Sequence, residues 1–267
     1  MRGRSAAMAL LALIAAIPAV AGSPDAGRGP IEDNSFLVEE AYNQEARVVQ
    51  HIATWSHSRE GGAWEASFTQ EWPAGSRRHQ VSVTIPLQRL ANGGAVGIGD
   101  VALNYRYMGL GVEGGRVAFA PRLSALLPTG DFDRGLGAAE VGIQANLPLS
   151  TTLAPRLVAH SNAGATYVGA GGGSAAIRGF NLGQSLIWLA APRINLMMEL
   201  AWERSDSPGV AGDADLEERL LLAPGVRWSH DFPSGLQVVP GIAAPIGIGP
   251  SRGERAILLY LSVEHGF

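Results

Sequence analysis

The sequence predicts an all-β fold: a transmembrane antiparallel up-and-down β-barrel of about 12 strands, with a short N-terminal periplasmic or plug segment. Three observations predict it. From about residue 46 apolar and polar residues alternate with period two, the signature of a strand with two unlike faces. The alternating runs mostly reach ten residues or more, against about five or six for an ordinary strand and about 9–11 for one that crosses a bilayer. The connections alternate between long loops and tight turns, as in a meander whose loops collect at one end.

The chain begins with "MRGRS", which carries Arg2 and Arg4, followed by the apolar "AAMALLALIAAIPAV" and the small residues Ala19, Val20 and Ala21. A basic start, a short apolar run and an A-x-A site read as a secretory signal peptide spanning 1–21. The run is short for a helical span of about 20 residues. Residues 22–45 form the N-terminal periplasmic or plug segment. Within "GPIEDNSFLVEEAYNQEA", Asp33, Asn34 or Ser35 could cap a short helix with Glu39 and Glu40 near its start. Phe36, Leu37, Val38, Ala41 and Tyr42 would form its apolar side. The segment is either a loose lead-in or a plug folded into the barrel mouth.

The barrel is assigned to 46–267. Strand-like runs fall at 46–57, 63–73, 79–89, 96–108, 116–128, 138–149, 152–166, 179–190, 192–204, 217–230, 236–247 and 255–267. In "AWEASFTQEW", Trp64, Ala66, Phe68, Gln70 and Trp72 share one face, and Glu65, Ser67, Thr69 and Glu71 share the other. Trp64 and Trp72 are eight residues apart, about 26 Å along a strand. A tilt of about 40° reduces that to roughly 20 Å, near the span between the aromatic girdles of a membrane barrel. Trp64, Trp72, Tyr105, Tyr107, Trp188, Trp202 and Trp228 are the expected girdle residues. The polar parity sends Glu65, Glu71, Asp100, Arg106, Arg122, Glu140, His160, Glu199, Arg227 and Glu264 toward the lumen. Such charges are expected to pair across it, because an isolated charge in a narrow cavity is costly. Twelve strands lie between barrels filled by side chains and barrels that hold a water channel, and the Gly, Ala and Ser among the lumen positions favour some free space. The final run, "AILLYLSVEHGF", reads as the strand that pairs with the first to close the sheet. Terminal Phe267 is expected to act as the signal for the outer-membrane assembly machinery. His265 interrupts the outward apolar parity of this strand.

Composition narrows the function. There are no cysteines, so thiolate metal sites and disulfides are excluded. All basic residues are Arg, and the formal net charge is −4, which leaves no footprint for nucleic acid. Gly109 to Gly114 satisfies GxGxxG, but a strand rather than a helix follows, so the glycines serve a turn. The histidines are scattered without ligand spacing, so neither metal nor cofactor is expected. A lipid hydrolase would need Ser and His on one face within hydrogen-bond reach. His57-Ser58 and His160-Ser161 are adjacent and point to opposite faces. His160 with Asn162 on its own face is the remaining catalytic candidate, without a placed nucleophile.

The stretch "GPIEDNSFLVEEAYNQE", the turn "LSALLPTGDF" around Leu127 to Gly130 and the closing aromatic strand resemble the outer-membrane proteins grouped with the meta-pathway of phenol degradation, which are described as transporters. The resemblance implies a twelve-stranded type of barrel and passage of small, often hydrophobic compounds. It supplies no binding residues. The leading expectation is a passive channel in the outer membrane of a Gram-negative bacterium, with membrane lipid and the assembly machinery as partners and an unidentified small-molecule permeant. A closed structural or binding barrel is the second reading, and an outer-membrane lipid hydrolase the third.

Overall fold

Each strand of the structure pairs antiparallel with the next, and the last pairs with the first. The structure, a computed structural model, describes residue 31 and residues 33–112, 115–172, 175–208 and 214–267. The expected signal peptide lies outside them. Twelve strands make the barrel. They are β1 (Val48–Ser58), β2 (Trp64–Ala74), β3 (Ser76–Arg89), β4 (Val96–Ile98 and Val101–Tyr107), β5 (Val117–Phe119 and Arg122–Leu127) and β6 (Gly142–Asn146 and Leu149–Ala154). They continue as β7 (Leu157–Val168), β8 (Ile177–Ala191), β9 (Ile194–Pro208), β10 (Ala214–Trp228 and His230–Asp231), β11 (Gln237–Ala243 and Ile246–Gly247) and β12 (Ala256–Gly266). The closing ladder runs from Val48 opposite Gly266 to Ser58 opposite Ala256. It removes both sheet edges, which lipid would leave without hydrogen-bond partners.

The strands keep the parity the sequence shows. Val81, Leu103, Leu123, Ile143, Leu182 and Leu259 are exposed on the outer face, while Gln50, Gln80, Asn104, Glu199 and Arg227 are buried within. A soluble protein distributes residues the other way. An apolar belt outside and a polar lumen within is the pattern of a barrel that lies in lipid. The start of β1 and the end of β12 share one end of the barrel with the tight turns. We call it the terminal end, and its opposite the loop end.

Three expectations change. The turn implied between the runs 138–149 and 152–166 is absent: residues 149–154 lie within β6, and the turn falls at Pro155 and Arg156. Pro148 has no N–H to offer the ladder, so it interrupts β6 locally. Pairing with β7 resumes from Leu149. Second, residues 33–42 form bends and no helix. Ser35 N donates to Val38 O and Asn34 Oδ1 accepts from Glu40 N, but most of the amides that a helix would pair internally go to barrel side chains. Third, the free lumen space is divided by this segment, which leaves a cavity of 840 Å³ at the loop end and one of 290 Å³ beside it. Of the GxGxxG stretch, residues 109–112 are described and lie between β4 and β5 with no helix among them; Gly111 has φ +88°, and a Cβ there would lie 2.7 Å from Ala118 Cβ.

Candidate functional site

Ile31 and residues 33–44 thread the lumen from the terminal end, with Ile31, Phe36, Val38 and Ala41 buried alongside Asp33, Ser35, Asn43 and Gln44. A non-regular backbone can lie at this depth only if its polar groups are paired. Inward side chains of the strands do this. Glu199 of β9 accepts from Phe36 N and Leu37 N, both at 2.8 Å. Asn162 of β7 accepts from Glu39 N at 2.7 Å and donates to Glu39 O at 2.9 Å, imitating a backbone partner. Ser150 accepts from Ala41 N, and Gln80 from Gln44 N, each at 2.8 Å. Arg227 donates to the carbonyls of Asp33 and Asn34 at 2.7 Å and of Ile31 at 3.3 Å.

Charge reinforces the docking. Arg122 meets both carboxylate oxygens of Glu39, at 2.6 and 3.0 Å, a bidentate pairing of the stronger kind. Arg106 lies 3.5 Å from Glu39 and 4.0 Å from Glu71 and donates to Tyr42 O. Burial opposes ionisation of Glu39, but the guanidinium groups of Arg122 and Arg106 prevail and hold its carboxyl below the ordinary range. Asp33 accepts from Gln50 Nε2 at 2.9 Å and from Tyr260 Oη at 2.5 Å.

Packing sets the position of Phe36. Its ring joins Ile52, Ile187, Met197, Ala243, Leu258 and Tyr260 in one apolar cluster. It stands edge-on to Tyr260, with centroids 6.0 Å apart. A Cβ built on Gly225 or Gly241 would lie 2.4 or 2.7 Å from this ring, so these glycines make the seat that the ring occupies.

The residues expected in the lumen divide by height. Glu71, Arg106, Arg122, His160, Glu199 and Arg227 gather around the segment. Glu65 lines the loop-end cavity. Glu264 stands opposite Gln50 and Gln237 at the terminal end. Asp100 lies at a break in β4 and accepts from Gly130 N and Ala138 N, tying down the loop between β5 and β6. Thr129 fastens the same break, accepting from Val101 N and donating to Gly99 O. That is the structural use of the Leu127–Gly130 turn. Glu140 is a correction. It is exposed in this loop because β6 begins only at Gly142, so strand parity does not govern it. The loop carries Leu136 into the mouth, where the residue is 2% exposed and accepts from Gln88 through its backbone carbonyl. Of the expected girdle residues, Tyr105, Tyr107, Trp188 and Trp228 are exposed and Trp64, Trp72 and Trp202 half-buried, all on the outward parity. Phe267 is exposed, and its N–H donates to Arg47 O.

Sequence reasoning missed the roles of Ser150, Gln80 and Ser185. They are uncharged, and nothing local marks their partners, which are up to 150 residues away. Ser150 also answers the search for a nucleophile, since its Oγ lies 2.8 Å from His160 Nδ1. The same Oγ accepts the Ala41 amide, and Ser150 is completely buried beneath the segment inside the barrel. The pair anchors the backbone.

Two main cavities flank the segment. At the loop end, a vestibule of 840 Å³ is lined by β1–β3 and β9–β12, and Phe36 and Leu37 form its floor. Glu65, Glu203, Glu217 and Glu254 line it against one cation, Arg219, which is bonded to Glu254 at 2.9 Å. A second cavity of 290 Å³ runs beside the segment along β1–β6 to Glu71 and Arg106. Both cavities reach Phe36, Leu37, Thr54 and Ser67.

This arrangement defines a closed β-barrel with an occupied lumen. No protein-family model and no curated protein matches the chain. Among solved structures, it resembles an outer membrane channel from Pseudomonas putida F1, with a TM-score of 0.63 and 12% identity over 89% of this chain and 100% of that one. It also resembles the NanC porin, with a TM-score of 0.55 and 7% identity over 81% and 100%. At these identities the likeness is one of fold.

Proposed function

We propose that the chain is an outer-membrane channel for small neutral or cationic solutes, with residues 31–45 acting as its internal plug. The observation that carries this reading is the sharing of four lining residues by the vestibule and the side cavity. Space descends from the loop-end mouth past Phe36 to Arg106, and the segment is what narrows it. A structural barrel needs no such descending space. Secretion through a signal peptide at 1–21 and recognition of Phe267 by the assembly machinery belong to the same reading. The outward aromatics would then be the two interfacial girdles.

The permeant class follows from the vestibule. Four inward glutamates against a single paired arginine leave a negative surplus, which raises the local concentration of cations and repels anions. Phe36, Leu37, Leu221 and Leu258 add an apolar floor that suits the small hydrophobic compounds implied by the resemblance. Planar-bilayer recording in a potassium chloride gradient tests the proposal. The expected result is a discrete conductance with a reversal potential on the cation-selective side, moving toward zero in the Glu203→Gln, Glu217→Gln double variant. Anion selectivity would overturn the permeant class, and bilayers silent under all conditions would overturn the channel.

A further inference from the structure

We propose that His51 and His265 form a two-imidazole site for a divalent transition-metal ion, clamping the seam where β1 meets β12. Both lie on the outward parity near the terminal end, and His265 is the residue that breaks the apolar pattern of the closing strand. His51 stands opposite Val263 and His265 opposite Val49, so the two histidines are diagonal neighbours, a distance that long side chains span. Their Nε2 atoms are 3.3 Å apart. Two metal–imidazole bonds of about 2.0–2.1 Å at a tetrahedral angle span roughly 3.3–3.4 Å between nitrogens.

The hydrogen bonding prepares the ligand atoms. His265 Nδ1 lies 2.9 Å from Gly266 O. A carbonyl only accepts, so Nδ1 carries the proton and Nε2 presents a lone pair toward His51. A ring whose other nitrogen is engaged in this way is the usual form of a metal-binding histidine. His51 is held on its other side by the Phe68 ring, 22° from parallel with centroids 6.1 Å apart. The two imidazoles are themselves 22° from parallel. A small rotation about the terminal torsion, which is soft in histidine, converges both lone pairs on one point. Val49 and Val263 are buried beside the pair, while both rings remain half-exposed on the outward face near the terminal end. Water would complete the coordination. Nitrogen ligands select Zn2+, Ni2+ or Cu2+ over Mg2+ or Ca2+. The site is independent of the channel reading, and either can fail without the other.

The test uses the full secreted chain without a polyhistidine tag, folded in detergent at pH 7.5 and titrated with Zn2+ against a chelating dye. One Zn2+ per barrel is expected, with binding weakened at least about tenfold in His51→Ala and in His265→Ala and unchanged in His79→Ala. Zn2+ is also expected to raise the temperature of the heat-modifiable gel shift of the wild type by about 5 °C or more, and to leave that of the two variants unmoved. Cu2+ electron paramagnetic resonance of the wild-type chain, which does not depend on any variant folding, is expected to show coupling to two imidazole nitrogens. Zn2+ binding equal in the wild type and in the double variant, or Cu2+ coupled to fewer than two nitrogens, would show the pair to be an imidazole hydrogen bond only and overturn the site.

Discussion

Glu199 shows how much a single inward side chain carries. It holds two consecutive amides of the segment, Phe36 N and Leu37 N, and is itself fully buried. Glu199→Ala would leave both donors unpaired, at about 1–3 kcal/mol each. Single-channel recording of Glu199→Ala is expected to show an open fraction at least about tenfold above the wild type, and an unchanged open fraction would count against the anchoring role. Glu39 gives the segment a pH dependence whose sign is fixed. Its carboxyl is held below the ordinary range, so its contribution to docking is complete above that range and is lost as pH falls through the depressed value. Conductance is expected to rise as the pH falls below about 4. Glu39→Gln, already without the charge, is expected to lack that rise. A rise of equal size in Glu39→Gln would assign the acid response to another group. Most of the charged inward residues could be found by parity alone, since Glu71, Arg106, Glu199 and Arg227 all sit on the polar face of an alternating strand. Their partners could not. The sequence suggested mutual Arg–carboxylate pairs, yet Glu199 and Arg227 are spent on amides and carbonyls of the segment, which no charge pattern marks.

At the scale of elements, the strands were legible because each carries its own period. The exception is β6, where Pro148 imitates a turn and the true turn at Pro155 and Arg156 is only a few residues away. The segment is the reverse case. Its residues suit a short amphipathic helix, and an isolated peptide of this composition has the caps for one. Inside the barrel, Glu199, Asn162, Ser150 and Gln80 offer its amides better-placed acceptors than its own carbonyls, and tertiary pairing overrides local propensity. The glycine seat for Phe36 gives an element-level test. Gly241→Val suits a β-strand on propensity, but its side chain would enter the space of the Phe36 ring. The variant is expected to keep the heat-modifiable migration of a folded barrel while protease cuts near residues 36–40 much faster than in the wild type. Equal cleavage rates would show that the ring does not depend on that seat.

At the scale of the whole molecule, the barrel and the segment divide the work. The closed ladder removes the sheet edges and presents an apolar surface outward. The threaded segment fills the terminal half of the lumen and leaves an acidic vestibule at the loop end. The closed barrel follows from strand length, connection pattern and parity, and all three are local. Whether the lumen is filled is a long-range property, decided by contacts between the segment and strands that include β6, β7, β9 and β10, more than a hundred positions away. The central claim is that this segment is the obstruction in an otherwise continuous passage. Comparing the unitary conductance of the wild-type chain with that of a variant lacking residues 31–45, in the same planar bilayer, tests it most directly. A several-fold larger and steadier conductance in the deletion variant is the predicted result. Identical conductance in the two proteins, or silence in both while each migrates as a folded barrel, would contradict it.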